Sequence, residues 1–383
     1  MHLRVRAFVV VLGLAATSGT ARAQGYVLDR FDPSERGSEW FAGDSLDLRG
    51  KVRPAVGFVG VFAHRPLVVS SGGVTTTAIV AQSWVVHAGG SVVLMDRVRL
   101  GFDLPVALYQ TGTSAVVGTD FVKAPQDATA LGDLRLGATV RLLGTFGDAF
   151  TGAVGALLDV PTGSPASYTG DGLVRAGAQL AVAGDVGTFT YAAGVGVHLR
   201  PEIAGPAAEG VGTEVRFNAA AGLRVLGGHM LLGPEVFGAI VVSNAANAVT
   251  PRSTPLEVMM GAHLTLGRAW TMIRIGAGAG GGVTHGLGTP GARVMFDLAW
   301  TPGVVVPPPV RIVPEDTDAD GVPDDGDACP TIAGVSSVDR LKSGCPKPPD
   351  SDKDGFTDDV DGCPMVPGVA QDDPTRQGCP SDL

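Results

Sequence analysis

Alternation between apolar and polar or small residues organises the middle of this chain. Across Arg97–Leu108 one face carries Arg97, Arg99, Gly101, Asp103, Pro105 and Ala107. The other carries Val98, Leu100, Phe102, Leu104, Val106 and Leu108. A period of two residues marks a β-strand with unlike faces. The same split recurs. Arg135, Gly137, Thr139 and Arg141 oppose Leu134, Leu136, Ala138, Val140 and Leu142, and Glu214, Arg216, Asn218, Gly222 and Arg224 oppose Val215, Phe217, Ala219, Leu223 and Val225. Further along, Glu257, Met259, Gly261, His263 and Thr265 oppose Leu256, Val258, Met260, Leu264 and Leu266, and Arg293, Met295 and Asp297 oppose Val294, Phe296, Leu298 and Trp300.

The connections alternate as well. Short turns are read at Met95-Asp96, Thr145–Asp148, Gly184-Asp185, Gly227-Gly228 and Gly267-Arg268, and longer loops at 64–78, 110–131, 161–171, 201–212, 243–254 and 284–291. The pattern predicts an all-β chain whose residues 51–302 form an antiparallel transmembrane barrel of about twelve strands, with short turns and both barrel ends on the periplasmic side. Composition agrees. Hydrophobic residues make up 45% of the chain, with 56 glycines. No stretch after the first residues reaches the roughly 18 apolar positions of a membrane helix. The competing soluble reading is a β-sandwich, which would bury the apolar face and expose the charged one.

In a barrel the polar face lines the lumen. That face carries Arg99, Arg135, Arg141, Arg175, Arg216, Arg224, Arg274 and Arg293 together with Asp103, Glu214, Glu235, Glu257 and Asp297. Buried charges have to be paired or hydrated. The favoured reading is a salt-bridged interior that stabilises a narrow barrel; the alternative is a selectivity lining for a small solute.

The first residues have the parts of an export signal: Arg4 and Arg6, an apolar run from Ala7 to Ala16, and Ala21-Arg22-Ala23 as the cleavage pattern. Residues 1–23 are therefore expected to be a signal peptide. Residues 24–50 read as a polar, irregular periplasmic lead-in, and 303–315 as a Pro-rich linker.

Charge is concentrated behind that linker. Residues 311–383 hold 17 acidic and 6 basic side chains, net −11, against −10 for the whole chain, so the first 310 residues sit near +1. No basic patch points to nucleic acid. The acidic residues are ordered. Asp316, Asp318, Asp320, Gly321, Asp324, Asp327 and Cys329-Pro330 recur 34 residues later as Asp350, Asp352, Asp354, Gly355, Asp358, Asp361 and Cys363-Pro364. Carboxylates at alternate positions of a tight loop converge on one Ca2+, which takes about six to eight oxygens. Glycine at the sixth position permits the turn. The carbonyls of Val322 and Phe356 are candidate ligands, and Asp324, Asp327, Asp358 and Asp361 are read as closing the shell or holding a second ion. All four cysteines, Cys329, Cys345, Cys363 and Cys379, lie here. Of the three possible connectivities, Cys329–Cys345 and Cys363–Cys379 close loops of equal length and are favoured.

These repeats closely resemble thrombospondin type 3 repeats over about residues 316–380, with every aspartate in place. The resemblance implies calcium-binding repeats with little regular secondary structure over 316–383. Such repeats commonly join an outer-membrane barrel to an OmpA-like peptidoglycan-binding domain, and the order signal, barrel, linker, repeats looks like that family. The sequence ends at Leu383, where that domain would start, so peptidoglycan binding is not carried over.

Candidate catalysis is weak. Gly276–Gly282 reads as part of a strand rather than a nucleotide loop. The histidines His64, His87, His198, His229, His263 and His285 are scattered. Ser83 and His87 share one strand, about 13 Å apart. The expectation is a non-enzyme: an outer-membrane structural or passive-pore barrel with a calcium-stiffened periplasmic spacer. Its expected partners are membrane lipid, calcium and periplasmic or cell-wall components. The alternatives are a specific solute transporter or receptor and a secreted calcium-dependent adhesion protein.

Overall fold

The computed structural model describes residues 25–71, 74–202, 211–243, 250, 253–303 and 315–381. The expected signal at 1–23 lies outside the described residues, as does most of the linker, 304–314. Two compact units divide the chain, Met1–Val305 and Val306–Leu383.

The first unit runs β1 (Val52–Ser71), β2 (Val74–Leu94), β3 (Val98–Thr111), β4 (Ala115–Val117), β5 (Asp120–Val122), β6 (Ala130–Leu131), β7 (Leu134–Leu143), β8 (Thr151–Val160), β9 (Arg175–Val186), β10 (Phe189–Leu199), β11 (Glu214–Val225), β12 (Met230–Val241), β13 (Leu256–Leu266), β14 (Ile273–Gly282) and β15 (Ala292–Trp300). The short strands β4 and β5 pair only with each other, and β6 adds two residues beside β3. All the others pair antiparallel with their neighbours in sequence. β1 then closes the circle against β15, from Val56↔Trp300 to His64↔Ala292. The result is a closed 12-stranded antiparallel barrel. Closure leaves no unpaired edge, which a sheet surrounded by lipid requires. Among the described residues there is no α-helix.

Burial decides between membrane and soluble readings. On β3, Arg99 is 1% exposed while Phe102 is 49% exposed. Val258 and Met260 on β13 and Val294 and Phe296 on β15 are exposed, while Glu257 and Arg293 are buried. A sandwich would show the reverse. The outer surface is apolar all round, as a lipid-facing wall must be. Exposed Phe150, Phe189 and Trp270 lie at the short-turn end, and exposed Trp84 and Tyr109 lie higher on the wall. Ten residues separate Leu94 from Trp84, about 33 Å along a strand and about 25 Å along the axis at a tilt of about 40°. That height matches the apolar band of an outer-membrane barrel.

Two sequence boundaries move. The stretch 64–78, expected as a loop, continues β1 and β2 as a hairpin beyond the band, with register shifts after His64. Its Leu67, Ile79 and Val80 are β-formers that pack with Val122, Tyr168 and Val211 over the long-loop mouth. The turn expected at Gly184-Asp185 falls instead after Val186, where Gly187 takes a positive φ of 63°.

The larger correction concerns the lead-in. Residues 25–50 are not in the periplasm but inside the barrel. Val27 N–H donates to Asp171 (2.7 Å) and Leu28 N–H to the Tyr168 carbonyl (3.1 Å), both at the long-loop mouth. At the other end Gly50 N–H donates to Asp96 in the β2–β3 turn (2.6 Å). Between them Trp40, Leu46 and Leu48 pack among Val93, Ala153, Ala181, Ala192, Ala220 and Leu231, which come from β2 and from β8 to β12. The segment's polarity reflects pairing with the lumen rather than contact with solvent.

Placing a charge on the outer face tests the membrane assignment. Phe102→Arg should lower stability in liposomes by about 2–4 kcal/mol, while Asp120→Arg, on the exposed β4–β5 hairpin outside the barrel sheet, should change it little. Urea titration reads both, and equal effects at the two positions would remove the assignment.

Candidate metal centres and the charged lumen

In the second unit the two aspartate loops fold alike. One oxygen each from Asp316, Asp318 and Asp320, and likewise from Asp350, Asp352 and Asp354, gather within 4.8 Å of one another. Gly321 and Gly355, with φ of 92° and 99°, make the turn that side chains resist. Backbone donors hold these carboxylates in place. Asp316 accepts from Gly321 N–H (3.0 Å), Asp320 from Val322 N–H (2.8 Å) and Gly334 N–H (2.8 Å), and Asp354 from Phe356 N–H (3.0 Å) and Gly368 N–H (2.8 Å). Other oxygens remain buried without a hydrogen-bond partner: Asp316 Oδ1, Asp318 Oδ2, Asp327 Oδ2, Asp352 Oδ2 and Asp361 Oδ2. Partial desolvation, and behind it the charges of Asp320, Asp327 and Asp316, push the Asp318 carboxyl above its ordinary range. Asp352 is raised in the same way. Orphaned, crowded, hard oxygen donors fit a calcium ion.

The outer aspartates separate into two kinds. Asp324 spends both oxygens on Thr317, on its N–H (2.8 Å) and its hydroxyl (2.7 Å), and Asp358 does the same with Ser351 (2.8 and 2.7 Å). Those bonds hold Asp324 below the usual carboxylate range. Asp327 and Asp361 instead brace the following Cys329 and Cys363 N–H groups (2.6 and 2.7 Å) and keep their other oxygen free. Gly344 and Gly378 leave them room, since a Cβ there would meet an aspartate oxygen at 1.9 and 2.3 Å. Cys329–Cys345 and Cys363–Cys379 are the disulfides, each with Cα atoms 5.1 Å apart.

The barrel's charges form a ladder that the lead-in completes. From the long-loop end downward, Asp29 takes Arg293 through both guanidinium nitrogens (2.8 and 3.2 Å). Arg30 pairs with Glu214, and Asp32 pairs with both Arg135 and Arg216. Arg36 reaches Asp103 (2.8 Å), Glu39 grips Arg224 (2.6 and 2.8 Å), and Asp44 pairs with Arg99. Glu235 accepts from the N–H groups of Phe41 (2.9 Å), Ala42 (2.8 Å) and Gly43 (3.3 Å). Glycines on the wall make space. The Glu35 carboxylate lies over the cross-strand pair Gly101↔Gly137, where a Cβ would stand 1.9 and 2.1 Å from its oxygens. Two cavities of ≈ 100 and ≈ 80 Å³ remain beside the segment.

Of the arginines expected to line the lumen, Arg274 pairs within the wall, with Asp297 (3.0 Å), and Arg175 with Asp133 (2.9 Å). Arg141 lies at the rim, bonded to the Asp96 carbonyl (2.6 Å). His87 Nδ1 faces Asp103 (2.8 Å), and Ser83 lines the same cavity as His87; Nε2 of His87 has no hydrogen-bond partner. No local pattern marks the roles of Asp29, Asp32, Glu39 and Asp44, because their arginine partners lie 55 to 264 positions away.

The thrombospondin type 3 repeat family model matches residues 314–337 and 345–371. No curated protein matches the chain. Among solved structures, the COG4313 outer membrane channel from Pseudomonas putida F1 is 15% identical, covering 66% of this chain and 96% of its own, with a TM-score of 0.45. LpxR from Salmonella typhimurium is 12% identical over 64% of this chain and 99% of its own, with a TM-score of 0.33. A Pseudomonas aeruginosa FadL homologue is 8% identical over 72% of this chain and 99% of its own, with a TM-score of 0.32.

Titrating oxidised protein with calcium chloride should release or take up heat and change the circular dichroism of the repeats. Asp318→Asn with Asp352→Asn should abolish the response, while Asp324→Asn should weaken it far less. A wild-type protein silent in both measurements would end the metal reading.

Proposed function

We propose that this chain is an outer-membrane barrel closed at rest by its own lead-in, which passes small solutes when the lead-in withdraws and carries a calcium-stiffened spacer on the periplasmic side. The carrying observation is that residues 25–50 run the length of the lumen, from Asp171 at one mouth to Asp96 at the other. Apolar packing of Trp40, Phe41, Leu46 and Leu48 holds the segment, and a permanent core would not need the ion pairs added to it, since replacing buried pairs by hydrophobic groups is often neutral or stabilising. Charged pairs suit a wall that must also be stable when wet.

Short turns characteristically face the periplasm in such barrels. β1 starts and β15 ends on that side, paired as Val56↔Trp300, which supports a periplasmic position for the repeats. In each loop the ligands proposed are the alternate aspartates, the Val322 or Phe356 carbonyl, and Asp327 or Asp361. Asp324 and Asp358 act as supports through Thr317 and Ser351. Calcium, when bound, neutralises these carboxylates and ties the loop together; the disulfides and turn glycines then keep the spacer stiff without a hydrophobic core.

A cross-link tests the closed state. A Cβ at Gly43 would lie 3.2 Å from that of Ala220, so Gly43→Cys with Ala220→Cys needs a shift of only a few tenths of an ångström to form a disulfide. In planar bilayers the oxidised variant should be silent and the reduced variant should open intermittently, as the parent chain does under the same reductant. Equal conductance of the oxidised and reduced forms overturns the proposal.

A further inference from the structure

The lead-in also indicates what the lumen would bind once it withdraws. It contributes six acidic residues (Asp29, Asp32, Glu35, Glu39, Asp44 and Asp47) against three basic ones (Arg30, Arg36 and Arg49). Its withdrawal therefore leaves the wall more positive than the closed lumen. The change falls unevenly on the wall's two kinds of charge.

The wall acids mostly keep partners of their own. Asp103 retains His87 (2.8 Å), Glu214 retains Arg216 (2.5 Å), Glu257 retains Arg293 (2.7 Å) and Asp159 retains His198 (2.8 Å). Glu235 is the exception and is left with His263 at 3.9 Å. Arg99, Arg135, Arg216, Arg224 and Arg293 each lose a lead-in carboxylate. Arg99 pairs with Asp44 and has two further nitrogens, Nε and Nη1, buried without a hydrogen bond. Arg135 and Arg216 share Asp32 between them, beside their wall partners Asp159 (3.1 Å) and Glu214 (2.5 Å), and Arg224 gives its bidentate grip to Glu39 while also touching Asp185 (3.3 Å). Bidentate guanidinium stations are shaped for carboxylates and phosphates.

We propose that these arginines form a path for anionic solutes bearing carboxylate or phosphate groups, and that the lead-in's aspartates and glutamates occupy the stations where the solute's oxyanions bind. The proposal rests on the lead-in being displaceable. The Arg135–Asp32–Arg216 clamp is the central station, since one carboxylate there bridges two strands, β7 and β11. An anion entering the lumen competes with the lead-in for the same guanidinium groups, so the solute itself favours the open state.

The test weakens the lead-in's grip without touching the wall. Asp32→Asn with Asp44→Asn, checked for folding by heat-modifiable gel mobility, is measured in planar bilayers under a potassium chloride gradient. The expected result is a chloride-to-potassium permeability ratio of about five or more, lost when Arg135→Gln and Arg216→Gln are added. Succinate or inorganic phosphate should reduce the chloride current, and sucrose should not. An open lumen that prefers potassium, or that treats succinate like sucrose, overturns the anion path while leaving the displaceable lead-in standing. If the double variant does not fold, Gly43→Cys in the otherwise native chain serves instead. Succinate should speed its labelling by a water-soluble maleimide relative to sodium chloride of equal ionic strength, with the carboxylate and phosphate arms compared directly. Unchanged labelling by both anions, in a chain whose reduced cross-link variant opens, also overturns the anion path.

Discussion

A charged side chain facing the inside of a barrel must meet a counter-charge or water, and this requirement fixes where residues 25–50 lie. The wall presents Arg99, Arg135, Arg216, Arg224 and Arg293 inward at successive heights. None of them can turn outward, because the opposite face of every strand is committed to lipid. From the long-loop end, the lead-in answers Arg293, then Arg135 with Arg216, then Arg224 and Arg99, in its own chain order with Asp29, Asp32, Glu39 and Asp44. Its path along the axis follows the order of these partners, so a segment without regular hydrogen bonding is held in one course. Asp29, Asp44 and Asp47 also accept from backbone N–H groups two residues on (3.0, 2.9 and 3.3 Å), which holds an irregular chain in shape while the same carboxylates pair with arginine.

The composition of the wall follows from the same demand. A 12-stranded barrel has little interior width, and a segment bearing Trp40, Phe41 and several arginines fits only where the wall gives way. Glycine supplies that space. A Cβ at Gly222 would stand 2.8 Å from the Trp40 ring and one at Gly278 would stand 2.9 Å from Phe41. Many of the glycines that alternate with apolar residues are thus seats for the lead-in, and not signs of a flexible wall.

The strands and their faces were legible in the sequence because a period of two is a local property. Arg99 against Phe102, and Glu257 against Val258, could be sorted inward and outward from their own neighbours alone. The calcium loops were legible for the same reason, since seven positions of one loop recur at the next. The lead-in's place was not. Its many Asp, Glu, Ser and Gly residues, without a regular apolar period, read as a polar linker, and only contacts such as Asp29 with Arg293 distinguish the two. The separate roles of Asp324 and Asp327 were hidden too, because they depend on whether a hydroxyl, here Thr317, is within reach of the carboxylate.

The two units solve one problem with different means. Each places carboxylates where water alone does not satisfy them. In the lumen the counter-charge is guanidinium, fixed covalently in the wall and always protonated. That arrangement needs no metal, and it exchanges partners without loss of charge balance when another oxyanion arrives. In the repeats only six basic residues accompany seventeen acidic ones across 311–383. Asp316, Asp318 and Asp320 therefore have no arginine to turn to, and one oxygen of each gathers where a small, hard cation fits. Guanidinium pairs leave a segment able to move, whereas a calcium ion surrounded by several oxygens resists movement. On the function proposed above, this difference in counter-charge places the changeable part of the protein in the barrel and the rigid part in the tail.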